Sequence, residues 1–219
     1  MAEKNFRPIN GYVMVAVFAA VLASTIYMLI LTENPVYAAG GALILAFLGP
    51  GFFLVYPNGS RVMTLFGKYV GTVKANGFWW VIPFILRKNI SLRARNFDSE
   101  RVKVNDKRGN PILISVILVW RVEETYRAAF DVDNYESFVR VQTDAAVRKL
   151  AGSYSYDNFD DEMEEMTLRS GVNEINEDLE RELEERLAIA GIHVLEARIG
   201  YLAYASEIAS AMLKRQQAE

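Results

Sequence analysis

Two uncharged apolar runs stand back to back near the start of the chain, Gly11 to Leu31 and Pro35 to Tyr56, with only Thr32, Glu33 and Asn34 between them. As helices rising about 1.5 Å per residue, each is roughly 31 to 33 Å long, close to the ~30 Å hydrocarbon core of a bilayer. The runs therefore predict a membrane hairpin in which both arms span. A hairpin that dips into one leaflet is the rival arrangement, because Asn34-Pro35 makes a tight reversal and Gly49, Pro50 and Gly51 bend the second run. A cleaved signal peptide fits poorly, since a second apolar run follows at once in place of a polar mature chain.

Basic residues set the expected orientation. Lys4 and Arg7 precede the first run and Arg61, Lys68, Lys74, Arg87, Lys88, Arg93 and Arg95 follow the second, while the connecting turn has none. By the excess of Lys and Arg on the cytoplasmic side, a cell-membrane protein with two spans and both termini in the cytoplasm is expected. Of the 219 residues, roughly 160 remain for a soluble part, enough for one domain with a sizeable core. The expected division is a hairpin over 1–56, a domain over 57–204 and the start of a C-terminal helix over 205–219. Cysteine is absent, which fits a reducing compartment and excludes thiol catalysis, disulfides and cysteine zinc sites.

The net charge of −3 hides a segregation. Pro57 to Phe97 holds seven basic residues and no acidic one, whereas Asp157 to Arg186 holds thirteen acidic residues against Arg169, Arg181 and Arg186. A basic, aromatic-rich stretch beside an anchor is what an anionic leaflet attracts, at about 1 kcal/mol per well-placed Lys or Arg.

Patterning gives a β-rich half followed by a helical half, an α+β domain with helices on one face of a small sheet. Strands are predicted over Arg61–Tyr69, Phe78–Phe84, Ile90–Phe97 and Arg101–Val104, with Val70–Gly77 as a turn region. Pro111–Val122 is apolar at most positions of both faces and is expected to be buried on both sides. The Asn105–Asn110 stretch before it has the Asx and Gly chemistry of a hairpin loop. Helices are predicted over Tyr126–Phe130, over Asn134–Ala151 with Asn134 as N-cap and Gly152 as stop, and over Thr167–Ala190. The last carries Val172, Ile175, Leu179, Leu183 and Leu187 as one narrow apolar stripe. Ile192–Tyr201 reads as a returning strand and Ser206–Gln217 as a final helix.

Several stretches resemble the Band 7 or SPFH family, which includes stomatins, prohibitins and flotillins. They are Tyr56-Pro57-Asn58-Gly59, Leu65-Phe66-Gly67-Lys68-Tyr69, Gly71-Thr72, Gly77 through Phe84, and Asp131-Val132-Asp133-Asn134-Tyr135. The resemblance runs from about Tyr56 to the C-terminus. It implies an α+β SPFH domain on the membrane, a helical tail, and assembly into large rings or cages that organise membrane patches and regulate membrane proteases or channels. Family members usually continue into a long coiled coil, whereas here the sequence stops at Glu219 after roughly 14 residues of such a helix.

The residues argue against catalysis. His193 is the only histidine and sits among Ile192, Val194 and Leu195, so no Ser-His-Asp arrangement or histidine metal cluster is available. Asp160, Asp161, Glu162, Glu164 and Glu165 lack the Gly-punctuated spacing of a calcium loop and read as a solvated helix start. Gly67, Gly71 and Gly77 do not open a helix and form no phosphate loop. Arg93, Arg95, Lys107 and Arg108 are too few, in an acidic chain, for a nucleic-acid surface. No catalytic residue, metal or cofactor is expected.

Two surfaces are expected to carry function. Phe78, Trp79, Trp80, Phe84, Arg87 and Lys88 form the candidate membrane interface, with one indole of the Trp pair in the core and the other at the headgroups. Glu177, Glu180 and Glu184 are candidate contacts to a neighbouring copy, opposed by Arg140, Arg148 and Lys149 or by Arg101, Lys103, Lys107 and Arg108. The predicted function is a membrane-anchored scaffold that homo-oligomerises and organises membrane partners, bound to anionic lipids. The alternative is a regulatory subunit of a membrane protease or channel.

Overall fold

Asn10 and Asn34 each start a helix by accepting a backbone N–H on the side-chain carbonyl, from Tyr12 at 2.9 Å and Val36 at 3.0 Å. In the computed structural model these caps open α1 (Gly11–Thr32) and α2 (Pro35–Leu48). The structure describes residues 3–157 and 166–210 and divides into two units, Met1–Arg93 and Ala94–Glu219. The boundary at Arg93 falls inside the stretch expected as one domain, and the hairpin belongs to the first unit.

α1 has 22 residues and is long and apolar enough to cross a membrane. The second apolar run is a different object from the one expected. Its helix has 14 residues and ends at Leu48, a 3-10 turn covers Gly49–Gly51, and Phe52–Val55 is a strand, β2. Fourteen residues give about 21 Å, short of the ~30 Å of hydrocarbon. The cause is local: Pro50 lacks the N–H that the helical ladder needs, and its two glycines weaken helix on either side. The two arms pack through Gly41, where any Cβ would collide with Thr25.

Ile9–Asn10 (β1) and β2 both pair with Gly77–Trp80 (β5), in the order β1-β5-β2. A second sheet is made by Gly59–Leu65 (β3), Lys68–Val73 (β4) and Ile85–Ser91 (β6), in the order β4-β3-β6. Val55, Met63, Val73, Val81 and Ile85 form the buried core, with Phe6, Phe53 and Trp79 packed against it. The segment before β1 adds to the edge of β4, with Phe6 N–H donating to Thr72 O at 2.9 Å and Thr72 N–H to Lys4 O at 2.8 Å.

The single strand expected over Arg61–Tyr69 is two strands, because Phe66 and Gly67 adopt φ of 48° and 78° and reverse the chain. Paired left-handed residues make the tight hairpin turn whose twist matches the strands. The turn region expected over Val70–Gly77 is accordingly half strand. Ile90–Phe97 also divides, between β6 and Arg95–Asp98 (β7).

In the second unit Pro111–Val122 (β9) is the central strand, with the predicted limits. Ile192–Tyr204 (β10) pairs along one edge; β7 and Val102–Asn105 (β8) share the other, β7 against residues 117–120 and β8 against residues 111–114. Ile112, Ile114, Val116 and Leu118 are fully buried, while the opposite face is covered in part, with Ser115 buried, Leu113 and Val119 half-buried and Ile117 42% exposed. Burial on both sides of β9 is thus corrected to full burial on one face and partial burial on the other, as in an antiparallel sheet covered by helices on one face. Thr125–Phe130 (α3) follows β9. Next comes Tyr135–Ser153 (α4), capped by the Asn134 side chain as predicted but running on through Gly152.

Val172–Leu187 (α5) buries Ile175, Leu179, Leu183 and Leu187, while Val172 is exposed. It starts five residues later than expected because Thr167 and Ser170 bond each other's backbone N–H and hold a turn. A 3-10 turn over Ala188–Ala190 leads through Gly191 into β10. Residues 206–210 are helical, and the rest of the predicted final helix lies outside the described residues. So do Asp160, Asp161, Glu162, Glu164 and Glu165.

Candidate functional site

The foot of the hairpin is built on β5. The first turns of α1 lie against it: Gly11 and Met14 are buried, and Tyr12 meets the Phe78 ring edge-on at 5.5 Å. Phe78 stacks on Phe52 at 5.4 Å, and Phe18 reaches Phe52 from α1 at 6.3 Å. The last carbonyls of a helix have no partner within it and need donors from elsewhere. Here Trp80 Nε1 donates to Leu48 O at 2.9 Å, and Arg87 donates to Pro50 O at 2.8 Å and to Gly51 O and Phe52 O at 3.3 Å. A cation at this end also opposes the negative end of the helix dipole. Burial, with Arg61 nearby, lowers the Arg87 pKa from its ordinary value.

The residues predicted for a membrane interface are thereby separated. Trp80 is buried, and Trp79 is half-buried against the core of the first unit, with Nε1 donating to Ala75 O at 3.1 Å. Phe78 is enclosed by Tyr12 and Phe52. Arg87 caps α2, Lys88 is exposed, and Phe84 is exposed beside Phe47 of α2, 5.7 Å away. Phe66, Ile82 and Leu86, all exposed at the same end, were not selected by sequence reasoning. Their signal was available only in part, as apolar residues between the basic positions 61 and 88.

The predicted contact residues of the second unit lie on two opposite edges. On the β10 edge α5 presents Glu177, exposed, and Glu180, half-buried, beside Glu185, His193 and Val194. Glu184 is committed inside the chain: it accepts from Val194 N–H at 2.6 Å and lies 3.1 Å from His193 Nδ1. Asn176 likewise accepts from Ile199 N–H at 3.0 Å. These two side chains occupy amides of an edge strand that would otherwise invite another strand.

On the β7–β8 edge Arg140 and Arg148, either side of Asp144 on α4, line a cleft of about 700 Å³ with Arg101, Lys103, Asp98 and Glu100. Arg101 lies over the Tyr201 ring at 3.9 Å and Arg140 over Phe97 at 6.0 Å. Lys149 is turned the other way and pairs with Glu182 of α5. That hydrogen bond holds Glu182 below the usual carboxylate range, with Arg186 adding to it against the effect of burial.

Comparison with known proteins bears on the part of the chain from the end of α2 onward. The family model described as "SPFH domain / Band 7 family" matches residues 48–219. Among curated proteins, the "Modulator of FtsH protease HflK" of Escherichia coli strain K12 is 26% identical over 151 residues, 68% of this chain and 34% of that protein. "Protein HflK" of Escherichia coli O157:H7 matches at the same level. The chain spans about a third of the length of these relatives. On the family match, which covers most of its length, the chain belongs to the SPFH domain / Band 7 family.

Proposed function

We propose that this chain is a non-catalytic scaffold anchored in the membrane by the α1–α2 hairpin, whose copies associate side by side and organise partner membrane proteins. The observation that carries the anchoring is the order β1-β5-β2. The strand before α1 and the strand after α2 are stitched to the same strand, so the hairpin enters and leaves lipid by one face. The basic residues after the hairpin favour the cytoplasmic face for that side.

Self-association is supported by the charges at the two edges of the second unit. The β10 edge offers Glu177, Glu180 and Glu185, and the β7–β8 edge offers Arg140, Arg148, Arg101 and Lys103. Edges that differ and complement each other suit head-to-tail contact, which repeats from copy to copy and closes into a ring if the rotation allows. Each exposed ion pair is worth only about 0–1 kcal/mol, so assembly rests on repetition and on a shared membrane surface that raises effective concentration.

The test is the size of the full chain extracted in mild detergent, measured by light scattering. A multi-copy particle is expected. Glu177→Lys with Glu180→Lys should shrink it, Arg140→Glu with Arg148→Glu should do the same, and the four together should restore it. A wild-type monomer, or charge reversals without effect, counts against the reading.

A second reading is that the scaffold modulates a membrane protease, and the name of the E. coli relative favours it. Purification from membranes followed by mass spectrometry separates the two. A stoichiometric protease partner supports modulation, and recovery of the chain with lipid alone supports a scaffold.

A further inference from the structure

Four large apolar side chains at the foot of the hairpin have no cover: Phe66 is 84% exposed, Leu86 69%, Phe84 55% and Ile82 48%. They share one end of the β4-β3-β6 sheet. Leu65 and Ile85 are the last pair of that end, and Phe66 and Phe84 are the next residues out, with rings 6.0 Å apart. Phe84 in turn lies 5.7 Å from Phe47 in the last turn of α2. The apolar surface of α2 therefore continues onto the sheet without a break. Phe66 is held at φ 48°, a conformation that bulky residues seldom adopt and that Asn or Gly occupies more readily. A large aromatic at the tip of such a turn, meeting only the exposed Phe84 ring among the described aromatic contacts, buries little of its surface within the chain. Exposed Lys68 follows it after one residue.

We propose that Phe66, Ile82, Phe84 and Leu86 form a rim sunk into the leaflet that holds the hairpin, at the boundary of headgroups and acyl chains. This rests on the reading of α1–α2 as a membrane hairpin. The arm lengths support it independently of the exposed rings. Counted from Ala19, beyond the Phe18–Phe52 contact, α1 extends about 21 Å to Thr32, and α2 is about as long. Arms of that length starting at the water boundary leave Glu33, at the tip, inside a ~30 Å hydrocarbon core, where a carboxylate is expensive. Apolar faces of interfacial elements sit about 5–10 Å deep. A rim at that depth carries the tip to the far headgroups, and Lys68 is then placed for anionic lipid on the near side.

The chain has no cysteine, so single labelling sites are clean. Full-length protein carrying Phe66→Cys, Leu22→Cys or Asn89→Cys, labelled with a polarity-sensitive fluorophore, is reconstituted into vesicles of phosphatidylcholine and phosphatidylglycerol with doxyl-labelled lipids. Leu22 reports the hairpin, and Asn89 sits on β6 away from the rim end. Quenching by shallow doxyl groups several-fold stronger at 66 than at 89, with 22 also quenched, is the expected result. Quenching at 22 but not at 66 overturns the rim and leaves the hairpin; quenching at neither overturns both. A label at 66 that is dry but unquenched, and becomes wet as copies are diluted in lipid, assigns the rim to a second copy and overturns the proposal. In case the labelled turn is perturbed, Leu86→Cys gives a second reporter. Its shallow quenching should fall several-fold when Phe66→Asn is added, while the protein melts at a higher temperature. A label at 86 in water with or without that change also overturns the rim.

Discussion

The indole N–H of Trp80 donates to the carbonyl oxygen of Leu48 at 2.9 Å, so the last residue of α2 is tied to β5, the strand that also receives β1 from the start of the hairpin. Arg87 donates to three carbonyls just beyond Leu48, those of Pro50, Gly51 and Phe52. One strand and one cation thus close the end of the hairpin. Trp80→Phe keeps the ring and loses the donor, and it should cost about 1 kcal/mol. Arg87→Met abandons the Pro50 and Phe52 carbonyls, Gly51 O keeping the Val81 N–H at 3.1 Å, and should cost roughly 2 kcal/mol, read as the larger fall in melting temperature of the detergent-extracted chain.

Gly41 lets the two arms touch at Thr25. Within lipid, close backbone approach at small residues replaces the hydrophobic effect as the source of helix pairing. Gly41→Leu should force the arms apart and destabilise their packing by about 1–3 kcal/mol. Spin labels at Met28 and Tyr37 should then show a longer and broader distance distribution; an unchanged distribution would show that the contact does not hold the hairpin.

Tyr204 packs against Tyr156, tilted by 38° with ring centroids 4.0 Å apart, and its buried hydroxyl has no hydrogen-bond partner among the described residues. Burial, with Asp157 adding to it, pushes the Tyr204 pKa up to about 12. A phenol whose pKa is raised in the folded state adds stability that is complete below the unfolded value of about 10 and is lost as pH rises toward the folded one. Alkaline titration from pH 9 to about 12 should therefore lower the melting temperature, and Tyr204→Phe should flatten that fall. At neutral pH the same change removes an unsatisfied hydroxyl and should stabilise the second unit by about 1 kcal/mol.

Asp106 is buried at the loop between β8 and β9, where its carboxylate accepts from the backbone N–H of Arg108, Asn110 and Tyr156 and from Asn110 Nδ2. Asp106→Ala leaves these donors without an acceptor and should cost about 3 kcal/mol in thermal unfolding. Asp106→Asn retains part of the set and should cost less. Equal losses in the two variants would place the effect in packing instead of hydrogen bonding.

Periodicity made the second unit legible in advance wherever one element determines its own pattern. β9 has its predicted limits, Asn134 caps α4, and of the stripe Val172, Ile175, Leu179, Leu183 and Leu187 every residue but Val172 is buried. Where two structures share one composition, the pattern was silent. Phe52–Val55 is apolar whether it is lipid-facing helix or paired strand, and the partner that decides is β5, more than twenty residues away. The turn at Phe66-Gly67 was hidden because an aromatic is an unusual occupant of the left-handed region. Trp79 and Trp80 looked like one buried and one free indole, but Ala75 and Leu48 supply a carbonyl to each.

By itself the chain's order of residues determined an apolar hairpin at one end, an α+β soluble part, and a basic segment followed by an acidic one. All three follow from local composition and from side-chain periods of 2 and 3.6 residues. Only the tertiary structure decided that both ends of the hairpin meet on β5, that Glu184 guards the edge of β10, and that Arg140 and Glu177 lie at opposite edges of one sheet. The reason is physical. Those relations depend on which strands pair across long stretches of chain, and strand pairing is settled by mutual burial, which no single segment encodes.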